Sequence, residues 1–344
     1  MGNSTLGNHV LVTGGAGFIG SNFIPYFLEK NPLAEVINLD KLTYAGNLDN
    51  LADIKNNNRY HFVKGDICDP VLIEEIFEKY NINTVVHFAA ESHVDNSIEK
   101  PDSFIKTNIE GTFVLLEAAK KHWLQAPNQS KKGFGNARFH HISTDEVYGS
   151  LGSTGFFNEE TPYAPNSPYS ASKASSDFLV RSYFHTYGLN VVTSNCSNNY
   201  GPRQHDEKLI PTIIRKALSG EEIPIYGDGS NIRDWLYVLD HCSGIELVLK
   251  KGKAGETYAI GGNNEYDNLH IAKKICSLLD DIHPKKKGSY QEQIVFVKDR
   301  LGHDQRYAID ASKIKKELGW RAKEDFESGI RKTLEWHLIK HQIA

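Results

Sequence analysis

Tyr169-Ser170-Ala171-Ser172-Lys173 sets a phenol and an ammonium four residues apart, hence on one face of a helix. A neighbouring positive charge favours phenolate over phenol, as would a nicotinamide ring. The spacing therefore predicts a tyrosine with a lowered pKa, able to accept the proton of a hydroxyl that is losing hydride. A second group, Gly15-Ala16-Gly17-Phe18-Ile19-Gly20, fits the G-x-G-x-x-G pattern. Such glycines allow a tight turn, close backbone approach to a pyrophosphate, and free N–H groups at a helix N-terminus. Asp40 follows about twenty residues on, where a carboxylate accepts from the adenosine ribose and repels a 2′-phosphate, so NAD is expected rather than NADP. Thr144-Asp145-Glu146 places two carboxylates side by side, and such neighbours divide proton donation from proton abstraction when their surroundings differ.

These groups need a frame. Short β-rich runs at 9–13, 35–40, 60–63, 83–88, 137–143 and 190–195 alternate with helical patterns near 21–30, 70–80, 103–122 and 167–187. That rhythm predicts βαβ units: an α/β fold with a Rossmann-type doubly wound parallel sheet and helices on both faces. The glycine run then follows strand one, Asp40 ends strand two, and Asp66-Ile67 ends strand three, where Asp66 could take the adenine amino group. Phe88-Ala89-Ala90 ends strand four with small residues that let a cofactor cross. In such sheets ligands sit beyond the carboxyl ends of the strands. Past residue 200 the rhythm changes to Gly-, Asn- and Asp-rich loops at 226–234 and 261–268 and a basic loop at 284–288. The division expected is a dinucleotide-binding domain over 1–199, with a segment near 235–262 returning to it. A smaller, irregular α/β substrate domain spans 200–344. Residues 125–136 read as an exposed loop.

Composition limits the partners. With 39 Lys plus Arg against 43 Asp plus Glu, the net charge is −4, which offers no broad basic surface for nucleic acid. No apolar run reaches the ~18 residues of a membrane span. The start of the chain is polar, without the apolar core of a signal peptide. Cys68, Cys196, Cys242 and Cys276 lie far apart with no C-x-x-C pair, so neither disulfides nor a metal site is expected. A cytoplasmic globular protein is the reading.

Gly14 to Gly20, with Tyr169 and Lys173, resembles the extended short-chain dehydrogenase/reductase family, many of whose members act on nucleotide sugars. In that family a Ser or Thr ends strand five, and Thr144 stands there. Thr-Asp-Glu at this place is similar to the subgroup of dTDP-glucose 4,6-dehydratases. So are the segments 40–48, 89–95, 198–202, 208–211, 226–229, 233–235 and 302–304. The resemblance implies a reaction in which C4 is oxidised transiently and water is lost across C5 and C6. Hydride then returns to C6, giving a 4-keto-6-deoxy sugar for deoxysugar (rhamnose) synthesis. It gives Asp145 the role of acid at the C6 hydroxyl and Glu146 that of base at C5. An epimerase or another nucleotide-sugar dehydratase of the family is the alternative.

The same match places Gly14, Gly17, Phe18, Ile19, Gly20, Asp40, Lys41, Leu42 and Thr43 at the NAD. Asp66, Ile67, Phe88, Ala89, Ala90, Ser92, Thr107, Tyr169, Lys173 and Asn199 join them. It assigns Ser92, Thr144, Asn198, Lys208, Leu209, Pro224, Ile225 and Tyr226 to the nucleotide sugar, together with Arg233, Asn268, Asp299, Arg300 and His303. His93 stays open between pocket and helix end. A homodimer through the helices at 103–122 and 167–187 is implied by analogy. Three departures stand out: Leu301 where Pro is usual, Leu239 where an acid is common, and a 125–136 segment longer than in typical members.

Overall fold

The computed structural model describes residues 7–299 and 302–340. Seven strands form one sheet in the spatial order Thr257–Ile260, Val191–Cys196, Arg138–Thr144, Thr84–His87, His9–Thr13, Glu35–Asp40, Tyr60–Lys64. Every pairing in it is parallel. Successive side chains of a strand point to opposite faces, and a parallel sheet buries both. Leu11 accordingly packs with Leu115, Leu116 and Val180 on one side. Val10 and Val12 pack with Phe23, Phe27 and Ile245 on the other. The strand order reverses between His9–Thr13 and Thr84–His87, which opens a crevice at their carboxyl ends.

Six of these strands stand within a residue or so of their sequence-predicted places. The seventh, Thr257–Ile260, returns late in the chain and pairs with Val191–Cys196, Tyr258 opposite Ser194. The helix Pro168–Tyr187 starts sharply. Ser167 Oγ accepts from Ser170 N at 3.1 Å, Ser170 Oγ accepts from Ser167 N at 3.0 Å, and Pro168 fills the first helical position. Gly188, with φ 69°, ends it in the left-handed region. Tyr169 is thus fixed within the first turn of a capped helix.

Two readings of local structure need refinement. The helix expected over 103–122 stands but is not uniform: after the short helix Val94–Glu99 it begins as α-helix at Pro101–Phe104, widens into a π-turn over Ile105–Gly111, and continues as α-helix over Thr112–Trp123. Gly111 is pressed against Ile67 so closely that a Cβ there would lie 2.4 Å from Ile67 Cδ1. The wide turn carries Asn108 inward, where it is buried. The stretch 125–136 is not all loop. Leu124–Ala126 pairs antiparallel with Gln129–Ser130 in a small exposed hairpin, with Asn128 at φ 60° in its turn.

After Cys196 the chain builds a second layer. Asn198–Tyr200 runs parallel to Ile232–Tyr237, and Glu265–Asp267 runs antiparallel to it. Ile223–Tyr226 pairs with Ile294–Val297. Helices Leu209–Ser219, Asn268–Ile282 and Phe326–Lys340 enclose a core of its own, including Tyr200, Ile213, Ile275 and Leu334. All four cysteines are free thiols.

Candidate active site

The crevice begins at the glycine turn. Gly14 has φ 70°, and a Cβ on it would stand 2.7 Å from the backbone of Ala89; one on Gly20 would stand 2.6 Å from Gly14 O. Only glycine fits either position. Gly17 caps the helix Phe18–Lys30 without a side chain, so the first-turn N–H groups face the crevice. Asp40, buried at the end of its strand, accepts from Ala16 N at 2.9 Å and from Leu42 N at 2.8 Å. Burial raises its pKa against those two bonds.

Gly14, Gly17, Phe18, Ile19, Gly20, Asp40, Lys41, Thr43, Asp66 and Ile67 all line this cleft. Phe88, Ala89, Ala90, Ser92, Thr107 and Asn199 line it too. Leu42 does not. Its φ of 56° instead turns the chain so that its N–H reaches Asp40. Asp66 is not a bare acceptor: its carboxylate meets Lys41 Nζ at 2.7 Å and accepts from Cys68 N at 3.0 Å. Burial opposes its charge, but these partners outweigh burial and hold its pKa below the ordinary value. A glycine cradle that a Cβ would fill, a helix N-terminus and a buried carboxylate together fit a dinucleotide such as NAD.

The chemical end lies at the tip of Arg138–Thr144. Thr144, Asp145, Glu146, Tyr169 and Lys173 line the same cleft, with Ser143 and Cys196 beside them. Lys173 is buried and donates to Ile142 O at 2.8 Å. Thr144 Oγ1 is 3.4 Å from Asp145 Oδ1 and accepts from Glu146 N at 3.2 Å. The expectation of a lowered Tyr169 pKa is not met by the chain alone. Burial pushes the phenol well up, and the charges of Glu146, Cys196 and Asp145 push the same way, while a bond to Thr144 pulls down. Lys173 donates to a backbone carbonyl rather than to the phenol.

Asp145 is buried with Oδ2 lacking any hydrogen-bond partner among the described residues. Burial, then Glu146 and Asp234, hold its pKa well above the carboxylate range, against Arg233 and Thr144. Its proton is thus held more tightly than an ordinary carboxyl's, and it stands next in sequence to a second carboxylate. Two neighbouring carboxyls with such different surroundings can supply one acid and one base.

The predicted substrate residues divide. Ser92, Thr144, Asn198 and Lys208 line the cleft, and Lys208 Nζ donates to Ser92 O at 3.0 Å. Leu209, Pro224, Ile225, Tyr226, Arg233, Asn268, Asp299 and His303 lie outside its lining. Ile225 is buried within the second core, and Leu209 packs against it. Asn268 is buried as the first residue of its helix. Arg233 sits on the strand Ile232–Tyr237 rather than in a loop. It donates to Ile232 O at 2.8 Å and to Asp304 O at 3.0 Å, over the ring of Tyr307. Asp299 and His303 meet at 2.7 Å beside Tyr226. Arg300 and Leu301 fall outside the described residues. His93 is a helix end, its Nδ1 accepting from Asn96 N at 3.3 Å.

Sequence reasoning missed Glu91, Gln204, His205 and Glu207, which also line the cleft, and Asn108, which holds its wall. Glu207 directly precedes the predicted Lys208, and that adjacency was the available signal.

The chain is similar to known proteins over nearly its whole length. The family model described as GDP-mannose 4,6 dehydratase matches residues 11–333. The dTDP-glucose 4,6-dehydratase of Salmonella typhimurium is 57% identical over 342 residues, covering 97% of this chain and 93% of that protein. A crystal structure of the Bacillus anthracis dTDP-glucose 4,6-dehydratase in complex with NAD superposes with a TM-score of 0.86 at 46% identity, covering 98% of each chain. That of Streptomyces venezuelae, with NAD and TYD bound, gives 0.87 at 45% identity, over 97% of this chain and 98% of that one. With a family model matched over most of its length and relatives of nearly equal length at more than half identity, the chain belongs to the dTDP-glucose 4,6-dehydratase family of extended short-chain dehydrogenases/reductases.

Proposed function

We propose that this chain converts dTDP-glucose to the 4-keto-6-deoxy sugar and water, with Tyr169, Lys173, Thr144, Asp145 and Glu146 as its catalytic groups. The observation that carries the reading is Asp145: a buried carboxyl with a raised pKa, lining the cleft at a strand end shared with Thr144 and Glu146. An epimerase needs a hydroxyl base and hydride exchange but no such acid.

NAD, when bound, supplies the acceptor and later the donor of the hydride exchanged between C4 and C6. Tyr169 takes the C4 hydroxyl proton, and the Thr144 hydroxyl steadies the oxygen. Lys173, one helical turn on, contributes the positive charge that opposes the burial of a phenolate. A ketone at C4 acidifies the C5 proton, which Glu146 removes. Asp145 gives its proton to the departing C6 hydroxyl, so the elimination balances with water as the leaving group. Gly14, Gly20 and Asp40 hold the cofactor. Arg233 and Lys208 provide positive charge for the diphosphate.

We assign 1–199, with the returning strand Thr257–Ile260, to the cofactor half and the remainder to the sugar nucleotide. A cytoplasmic homodimer completes the reading. Ile98, Ile105 and Phe113, along the 94–123 helices, and Phe178, on Pro168–Tyr187, are large exposed apolar side chains in the regions proposed to pair. Two-fold dimers are the commonest oligomer. Sedimentation giving a monomer at working concentration overturns the dimer.

The test of function is Glu146→Gln, assayed for ketone product and for retained cofactor. The variant is expected to keep NAD and lose dehydration, whereas wild-type turnover refutes the assignment. Offering dTDP-, UDP-, CDP- and GDP-glucose side by side checks the base, with fastest turnover expected on dTDP-glucose.

A further inference from the structure

Behind Lys173 lies a buried carboxylate that the reaction above does not use. Asp177 follows Tyr169 and Lys173 at the same four-residue spacing, so the three share one helix face. It is buried, and its neighbours converge from three segments. From the Arg138–Thr144 strand, Ser143 Oγ donates to Oδ2 at 2.9 Å and His141 Nε2 lies 3.1 Å from Oδ1. From the Val191–Cys196 strand, Asn195 Nδ2 reaches Oδ2 at 3.2 Å and also donates to Thr144 O at 3.0 Å. Tyr163, ahead of the helix, donates to Oδ2 at 2.8 Å.

A carboxylate with that many donors stays ionised. Burial opposes its charge, yet His141, Lys173 and Ser143 hold its pKa below the ordinary value. The remaining titratable groups are Tyr148, whose ionisation it opposes, and His87, 5.3 Å behind His141 and forced neutral by burial. Cys196 faces Lys173 as a thiol held up to a high pKa. Burial lowers the Lys173 pKa, and the opposing charge comes first from Asp177, then from Cys196.

We propose that Asp177 is a positioning residue for this reaction, setting a buried negative charge one helical turn from the Lys173 ammonium while Asn195 and Ser143 tie it to the strand end that carries Thr144. This rests on the catalytic assignment of Tyr169 and Lys173. It goes beyond that assignment in placing a charge they require one turn deeper in the fold.

The experiment is the pH profile of kcat for dTDP-glucose with wild type, Asp177→Asn and Tyr169→Phe. Without the Asp177 charge, the largest influence opposing burial at Lys173 is gone and the ammonium is lost at lower pH. The alkaline limb of Asp177→Asn is therefore expected to move down by about one pH unit or more. A purely structural carboxylate would lower kcat evenly and leave the limb in place, and that outcome overturns the proposal. Tyr169→Phe is expected to lose turnover at every pH. If it retains wild-type turnover, the catalytic assignment itself fails, which is a separate result. Should Asp177→Asn not fold, Tyr163→Phe strips one donor from the carboxylate and leaves its charge. Asp177 then protonates more readily, so the acidic limb moves to higher pH; an unmoved limb counts against the proposal.

Discussion

Asn108 donates through Nδ2 to the Ser172 hydroxyl at 2.8 Å, joining the wide turn of Ile105–Gly111 to the helix that carries Tyr169 and Lys173. The same side chain accepts from Glu91 N at 2.9 Å and donates to Glu91 O at 3.0 Å. One buried amide thus pins the loop after Thr84–His87 against the catalytic helix. Asn108→Ala leaves several buried polar groups unpaired, at about 1–3 kcal/mol each. A urea midpoint well below wild type, with kcat reduced alongside, is expected. An unchanged midpoint would mean that the loop is held some other way.

Asp145→Asn keeps the shape of the site and removes its acid. Dehydration is expected to fall by about 10²–10⁴-fold, the usual worth of a positioned acid or base. Cofactor content should not change, since Asp145 stands at the sugar end of the cleft. A ketone assay in parallel with absorbance of the released cofactor separates the two effects. Near-normal dehydration would remove Asp145 from the chemistry.

Gly14→Ala collides with the Ala89 backbone at 2.7 Å and demands φ 70° of an L-residue. The variant is expected to purify with little NAD and little turnover. Asp40→Ala leaves Ala16 N and Leu42 N without their acceptor and removes the charge that repels a 2′-phosphate. It should bind NAD less tightly and discriminate less against NADP, read by isothermal titration with each cofactor. Undiminished preference for NAD would contradict the role given to Asp40.

Stability should fall on acidification. Burial pushes His241 down to about 3. Burial and the Lys173 charge push His141 to about 4, against Asp177. His87 and His140 lie well below 6.5 as well. Below the unfolded value of about 6.5 the unfolded chain takes up these protons and the folded chain does not. Their contribution is therefore complete above 6.5 and is lost as pH falls toward 4 and 3, at about 1.4 kcal/mol per pH unit for each histidine. The urea midpoint at pH 5 is expected well below that at pH 7. Coincident midpoints would show that these rings are protonated in the fold.

Much of the site was legible from spacing because local geometry carries it. A glycine turn after a strand, an acid at the end of the next strand, and a Tyr–Lys pair at helical spacing need little beyond their own element. The six early strands were legible for the same reason, short β-rich runs punctuated by turns. Asn108 was not, because nothing in Ile105–Gly111 announces a widened turn. That turn follows from Gly111 meeting Ile67 and from Asn108 meeting Glu91 and Ser172, contacts made only after folding.

The sequence by itself determined the cofactor cradle, the Tyr169–Lys173 face and the pairing of Asp145 with Glu146, since each lies within a single turn or strand end. Only the tertiary structure decided how tightly each proton is held. Burial, Glu146 and Asp234 raise the Asp145 pKa, and burial beside Glu146 raises that of Tyr169. Lys173 keeps a counter-charge because Asp177 is buried beside it. Charge in a protein interior depends on which neighbours exclude water and which carry charge, and residues distant in the chain supply both.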